Sequence, residues 1–79
     1  MTSPQPIPGT RAVQRVLSLL KAFSEERPRW SLTELSAEVG LSKATAHRML
    51  GVLESEGFVV RLAGSSEFQL GPEMIVLGV

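Results

Sequence analysis

Leu32-Thr-Glu-Leu-Ser-Ala-Glu-Val-Gly40, continued by Leu41-Ser-Lys-Ala-Thr-Ala-His-Arg-Met-Leu50, reads as a short helix, a glycine turn and a newly capped helix. Thr33 is the expected N-cap of the short helix, and Glu34 suits the positive end of its dipole. Leu35 and Val39 point to one side, and Gly40 follows where a helix ends in a left-handed residue. Ser42 is a fresh N-cap for the next helix, whose inward stripe is Ala46, Met49, Leu50 and Leu53, with Gly57 closing it. Ala46 is small where the two helices cross. A short helix, a glycine turn and a Ser-capped helix together form the helix-turn-helix signature.

The flanks extend it. Upstream, Thr10 is expected to cap a helix over Arg11 to about Glu25, ended by Pro28, with Val13, Val16, Leu17, Leu20 and Phe23 as its buried stripe. Trp30 to Leu32 is too short for a helix and reads as extended, with Trp30 packed in the core. After Gly57 the period falls to two. Phe58, Val60 and Leu62 alternate with Val59 and Arg61 as a half-buried strand, and Phe68 and Leu70 return after the turn at 63–66. The fold class is therefore mainly α with a small β-hairpin, a winged helix-turn-helix of three helices plus wing. Gly71-Pro72 then starts a further helix. The expected organisation is a disordered leader over 1–9, a winged helix-turn-helix domain over 10–71, and the start of a linker helix over 72–79. The apolar residues Met74 to Val79 lack downstream cover, so the end reads as a cut in a longer protein.

Composition narrows the function. The 79 residues hold eight Lys and Arg against eight Asp and Glu, so net charge alone does not announce a nucleic-acid binder. The absence of Cys removes disulfides and thiol catalysis, and the single His cannot build a metal site with His partners. No metal or cofactor is expected. Met74 to Leu77 is the longest apolar run, far short of a membrane span, and the first charge is Arg11, unlike a secretion signal. A cytoplasmic domain without enzyme activity is expected.

Charge placement is more telling than net charge. Arg11, Arg15 and Lys21 stand in a stretch free of acids, as do Lys43 and Arg48, while acids gather at Glu25, Glu26, Glu34, Glu38, Glu54 and Glu56. Lys43 at the start of the third helix and Glu54 and Glu56 near its end both oppose the dipole. A polyanion at the N-terminal end would account for that order, although exposed charges are also nearly neutral in energy. The outward residues are Ser42, Lys43, Ala44, Thr45, His47 and Arg48. Arg48 suits a guanine, Ala44 and Thr45 a thymine methyl, and His47 a base or phosphate. Equally, Arg48 could pair with an acid of the fold, and His47 could be merely solvated. Arg11, Arg15 and Arg61 are candidate phosphate contacts.

These residues resemble the N-terminal domain of IclR-type transcriptional regulators. The likeness runs through Leu32 to Leu50 and Leu53-Glu-Ser-Glu-Gly-Phe58, and continues in Gly9-Thr10, Ala12-Val13-Gln14-Arg15 and Phe68-Gln-Leu-Gly71. It covers about residues 9–79. The resemblance implies a bacterial regulator that binds double-stranded DNA, with Thr45 and Arg48 reading bases, Ser42 and Lys43 near phosphates, and Thr33 as a backbone contact. It also implies a further domain that binds a small-molecule effector and assembles dimers or tetramers. The wing tip Ala63-Gly64-Ser65-Ser66-Glu67 departs from the family's basic Asp-Gly tip, so little wing contact with phosphate is expected.

The expectation is a sequence-specific DNA-binding domain whose recognition helix, residues 42–56, enters the major groove as part of a dimer. The first and final helices are the expected contacts between subunits. The rival is a winged helix used for protein–protein contact, and salt dependence separates the two.

Overall fold

The computed structural model describes residues 9–76, which form in chain order α1 (Arg11–Ala22), β1 (Trp30–Ser31), α2 (Leu32–Val39), α3 (Lys43–Ser55), β2 (Val59–Arg61), β3 (Glu67–Leu70) and α4 (Pro72–Val76). The expected leader, except Gly9, and residues 77–79 of the expected linker helix lie outside the described residues.

Ser31, not Thr33, starts α2. The Ser31 hydroxyl accepts from the Glu34 N–H at 3.1 Å, and the Glu34 carboxylate accepts from the Ser31 N–H at 3.1 Å. This reciprocal capping box satisfies two helix-end donors. Thr33 loses the competition because the residue three places on is Ser36, which has no carboxylate to return a bond. Thr33 is exposed inside the first turn, and its carbonyl accepts from the buried Ser36 hydroxyl at 3.0 Å. At the other end Gly40 is left-handed, with φ 72° and ψ 33°. Its N–H donates to the Ala37 carbonyl and that of Leu41 to the Ser36 carbonyl, at 3.4 and 2.9 Å. That pair of bonds is the Schellman closure, which glycine enters without a Cβ penalty.

Ser42 caps α3 as expected, its hydroxyl accepting from the Thr45 N–H at 3.1 Å. Ala46, Leu50 and Leu53 are buried, and Met49 packs half-buried against them. With Leu19, Phe23, Trp30, Leu35, Val59 and Phe68 they make one core.

The first helix differs from its expected form. It ends at Ala22 because Phe23 is extended, and the next residues close a turn of their own. There the Ser24 N–H donates to the Arg27 carbonyl at 3.2 Å and the Arg27 N–H to the Ser24 hydroxyl at 3.0 Å. Val13 and Leu17 are not buried but 59% and 49% exposed, whereas Leu19 is fully buried. The apolar arc of α1 is wider than the core can cover, so packing takes the edge at Leu19 and leaves the opposite flank, Val13 and Leu17, outside.

The sheet has three antiparallel strands in the order β1-β3-β2, so the hairpin gains a two-residue strand from the loop before α2. Trp30 pairs with Phe68, Val59 with Leu70, and Arg61 with Phe68. Cross-strand partners share a face, which fixes the phase of β2. Val59 is its fully buried residue, while Phe58, Val60 and Leu62 are half-buried, the reverse of the expected alternation. Neighbouring valines carry no alternation of their own, and a shift of one residue exchanges the faces.

Pro72 opens α4 as its position suggested. The Gly71 N–H donates to the Phe58 carbonyl at 2.8 Å, and the Glu73 N–H to the Gly57 carbonyl at 3.2 Å. Gly71 is buried so tightly against the Gly57 carbonyl that a Cβ there would collide with it.

Candidate nucleic-acid interface

The first turn of α3 carries the expected contact residues. Ser42, Lys43, Ala44, His47 and Arg48 are exposed and Thr45 is half-buried. Helical spacing puts Ala44 and Arg48 on the side opposite Ala46 and Leu50, with Thr45 and His47 on the two flanks. The Ser42 hydroxyl also donates to Thr45 Oγ1 at 2.9 Å. The Thr45 hydroxyl is thereby held in place while its own hydrogen stays available to an outside acceptor. Sequence spacing signals the cap but not this hydroxyl pair.

Electrostatics favour an anion at this end. The first turn of α3 has no acid, and its unpaired amides and Lys43 bring positive potential together. Lys43 and Arg48 form no ion pair among the described residues, so Arg48 is not consumed by an acid of the fold. At the far end, Glu54 lies 3.9 Å from Arg61.

The other candidates are placed differently. Arg61 turns to the core side of the hairpin, its guanidinium carbon 4.8 Å from the Phe68 ring centroid and its nitrogen toward Glu54. Both contacts are at the surface, with the Arg61 side chain 45% exposed, so Arg61 stays open to an outside anion. Thr33 lies in the first turn of α2, where the Glu34 carboxylate already takes up a helix-end amide and reaches Arg27 at 2.9 Å. The Ser31 backbone and hydroxyl bonds, with Arg27 beside them, hold the Glu34 carboxyl below its ordinary value. Arg11 is exposed and Arg15 half-buried on α1, and neither forms an ion pair among the described residues. The wing tip Ala63, Gly64, Ser65 and Ser66 is exposed and carries no base.

Residues 12–63 match the IclR helix-turn-helix domain family. The chain is 34% identical over 68 residues to the glycerol operon regulatory protein of Streptomyces griseus, covering 86% of this chain and 27% of that protein. It is 32% identical over 74 residues to the transcriptional repressor IclR of Escherichia coli K12, covering 90% and 27%. An IclR family transcriptional regulator from Brucella abortus superposes with a TM-score of 0.80 at 28% identity, over 85% of this chain and 25% of that one. An IclR transcriptional regulator from Alicyclobacillus acidocaldarius does so with a TM-score of 0.72 at 35% identity, over 94% and 29%. The chain thus spans 27% of the length of the curated relatives named here.

Proposed function

Because the chain belongs to the IclR helix-turn-helix family of DNA-binding transcriptional regulators, we propose that α3 lies in the major groove of duplex DNA and reads bases with Thr45 and Arg48. Lys43 and the Ser42 end of the helix face phosphates, with Ala44 and His47 beside the readers. The single observation carrying this is the exposed Arg48, in no ion pair among the described residues, one turn beyond an acid-free, Lys43-bearing helix start. An arginine so placed can take the two acceptors of a guanine edge.

Two copies bind a pseudo-palindromic site, their recognition helices about 34 Å apart or a multiple of it. Val13 and Leu17, exposed one turn apart on α1, supply apolar surface for a contact between copies. The domain works within a longer bacterial cytoplasmic regulator that has no enzymatic role, forms dimers or tetramers, and carries a small-molecule effector site elsewhere. No described helix is long and apolar enough to cross a membrane.

The test is binding of the full-length protein to its own upstream DNA across a salt series, beside Arg48→Ala. Selective binding that weakens with salt, and a preference flattened by about 1–3 kcal/mol in Arg48→Ala, supports the assignment. Loss of DNA binding at low salt in the wild type, or no effect of Arg48→Ala, overturns it in favour of a protein partner.

A further inference from the structure

Beyond Arg48, the exposed side of α3 changes character. Gly51 sits inside the helix, and a Cβ built on it meets nothing within 4 Å, so packing gives no reason for a residue that disfavours helices. Val52 is 63% exposed, although a β-branched apolar side chain is a poor choice for a solvated helix position. The Ser55 hydroxyl turns back to donate to the Val52 carbonyl at 2.7 Å, so it does not offer that hydrogen to a partner. Val52 thus presents methyl groups with a gap beside them at Gly51, before the exposed Glu54 and Glu56 close the helix.

Val52 is four residues after Arg48 and seven after Thr45, which puts the three on one stripe of the helix. The stripe is about 10.5 Å long at 1.5 Å per residue, roughly three base-pair steps of 3.4 Å. In the major groove, the apolar feature that marks one base from the others is the C5-methyl of thymine. A single valine beside a glycine is far too small for a protein interface, which needs an apolar centre of many residues. Its continuity with Thr45 and Arg48 instead extends the same surface.

We propose that Val52 is a specificity-determining residue that reads a thymine methyl, with Gly51 leaving room for the strand beside it. This rests on the assignment of α3 as the groove-reading helix.

The experiment selects sites from a random duplex library with the full-length protein, then replaces each thymine singly by deoxyuridine, which deletes only the methyl. Wild type, Val52→Ala and Arg48→Ala are compared on these duplexes. At one thymine of each half-site, the wild type is expected to lose about fourfold in affinity, the equivalent of about 0.8 kcal/mol for one buried methyl-sized group. Val52→Ala, an exposed change to a better helix former, should lose that sensitivity and no other. If Val52→Ala keeps the same deoxyuridine sensitivity at every thymine while Arg48→Ala relaxes the selected site, the Val52 assignment is wrong and the recognition helix stands. If the wild type selects no site, or Arg48→Ala leaves the site unchanged, both fall.

Discussion

The guanidinium carbon of Arg27 lies 3.6 Å from the centroid of the Trp30 ring, and its nitrogen reaches the Glu34 carboxylate at 2.9 Å. One side chain thus closes the buried indole and braces the cap of α2. The indole N–H of Trp30 is buried with no hydrogen-bond partner among the described residues, while the stacked cation gains from the ring face. Arg27→Ala should lower stability by about 1 kcal/mol, from the stacking and an exposed ion pair together. Trp30→Phe should cost less than about 1.5 kcal/mol, because losing the orphaned donor offsets lost ring volume. Urea unfolding of the two variants measures both, and a larger loss in Trp30→Phe than in Arg27→Ala by several kcal/mol would count against this account.

Acid should weaken the same corner. The Ser31 bonds and then Arg27 hold the Glu34 carboxyl below its ordinary value of 4.5. A group whose folded value is depressed contributes stability that is present above the unfolded value and lost as pH falls through the folded one. Stability should therefore decline below about pH 4.5, and Glu34→Gln should flatten that decline. An unchanged acid slope in Glu34→Gln removes this carboxylate from the explanation.

Ser42→Ala separates capping from DNA contact. Loss of the N-cap bond should cost about 1 kcal/mol of stability, seen in thermal unfolding. The Ser42 side chain carries no charge, so the slope of affinity against salt should not change. A shallower slope would mean that Ser42 positions a charged group on a phosphate.

Gly51→Ala should stabilise the domain by about 1 kcal/mol, since the new methyl meets open space and removes a helix-interior glycine. Thermal or urea unfolding without DNA checks it. A neutral or destabilising result would show that the position is strained in a way its backbone does not reveal.

Val13→Asp with Leu17→Asp should leave the fold within about 0.5 kcal/mol of the wild type per change, as for exposed positions. If α1 joins two copies, the same pair should move the full-length protein toward smaller species in sedimentation. An unaltered mass with intact folding would exclude that flank from the contact.

The centre of the fold was more legible than its edges. Gly40 and Ser42 announce the turn because each solves a local backbone problem, a left-handed closure and an orphaned amide, that few residues solve. Thr33 and Ser31 were both chemically able to cap α2, and the spacing Ser31-Leu-Thr-Glu34 already carries the capping-box signature that decides for Ser31, a signal the reading from Thr33 passed over. The burial of Leu19 over Val13 and Leu17 is a tertiary selection from a wide apolar arc. The extended form at Trp30 was readable locally, but its pairing with Phe68, like the phase that Leu70 sets for Val59, depends on residues distant in sequence. At the candidate interface, Lys43, Thr45 and Arg48 could be named from spacing and charge. The neighbours of Arg61, Glu54 and Phe68, could not, because a lone arginine in a strand looks the same whether it faces solvent, an acid or a ring.

The seam where Gly71 is pressed against the Gly57 carbonyl, with bonds from Gly71 to Phe58 and from Glu73 to Gly57, has a mechanical meaning. It leaves no slack between the end of α3 and the start of α4, because neither backbone can slide without breaking a bond or colliding. The start of α4 is therefore tied directly to the segment that follows α3, by two backbone bonds and one close contact.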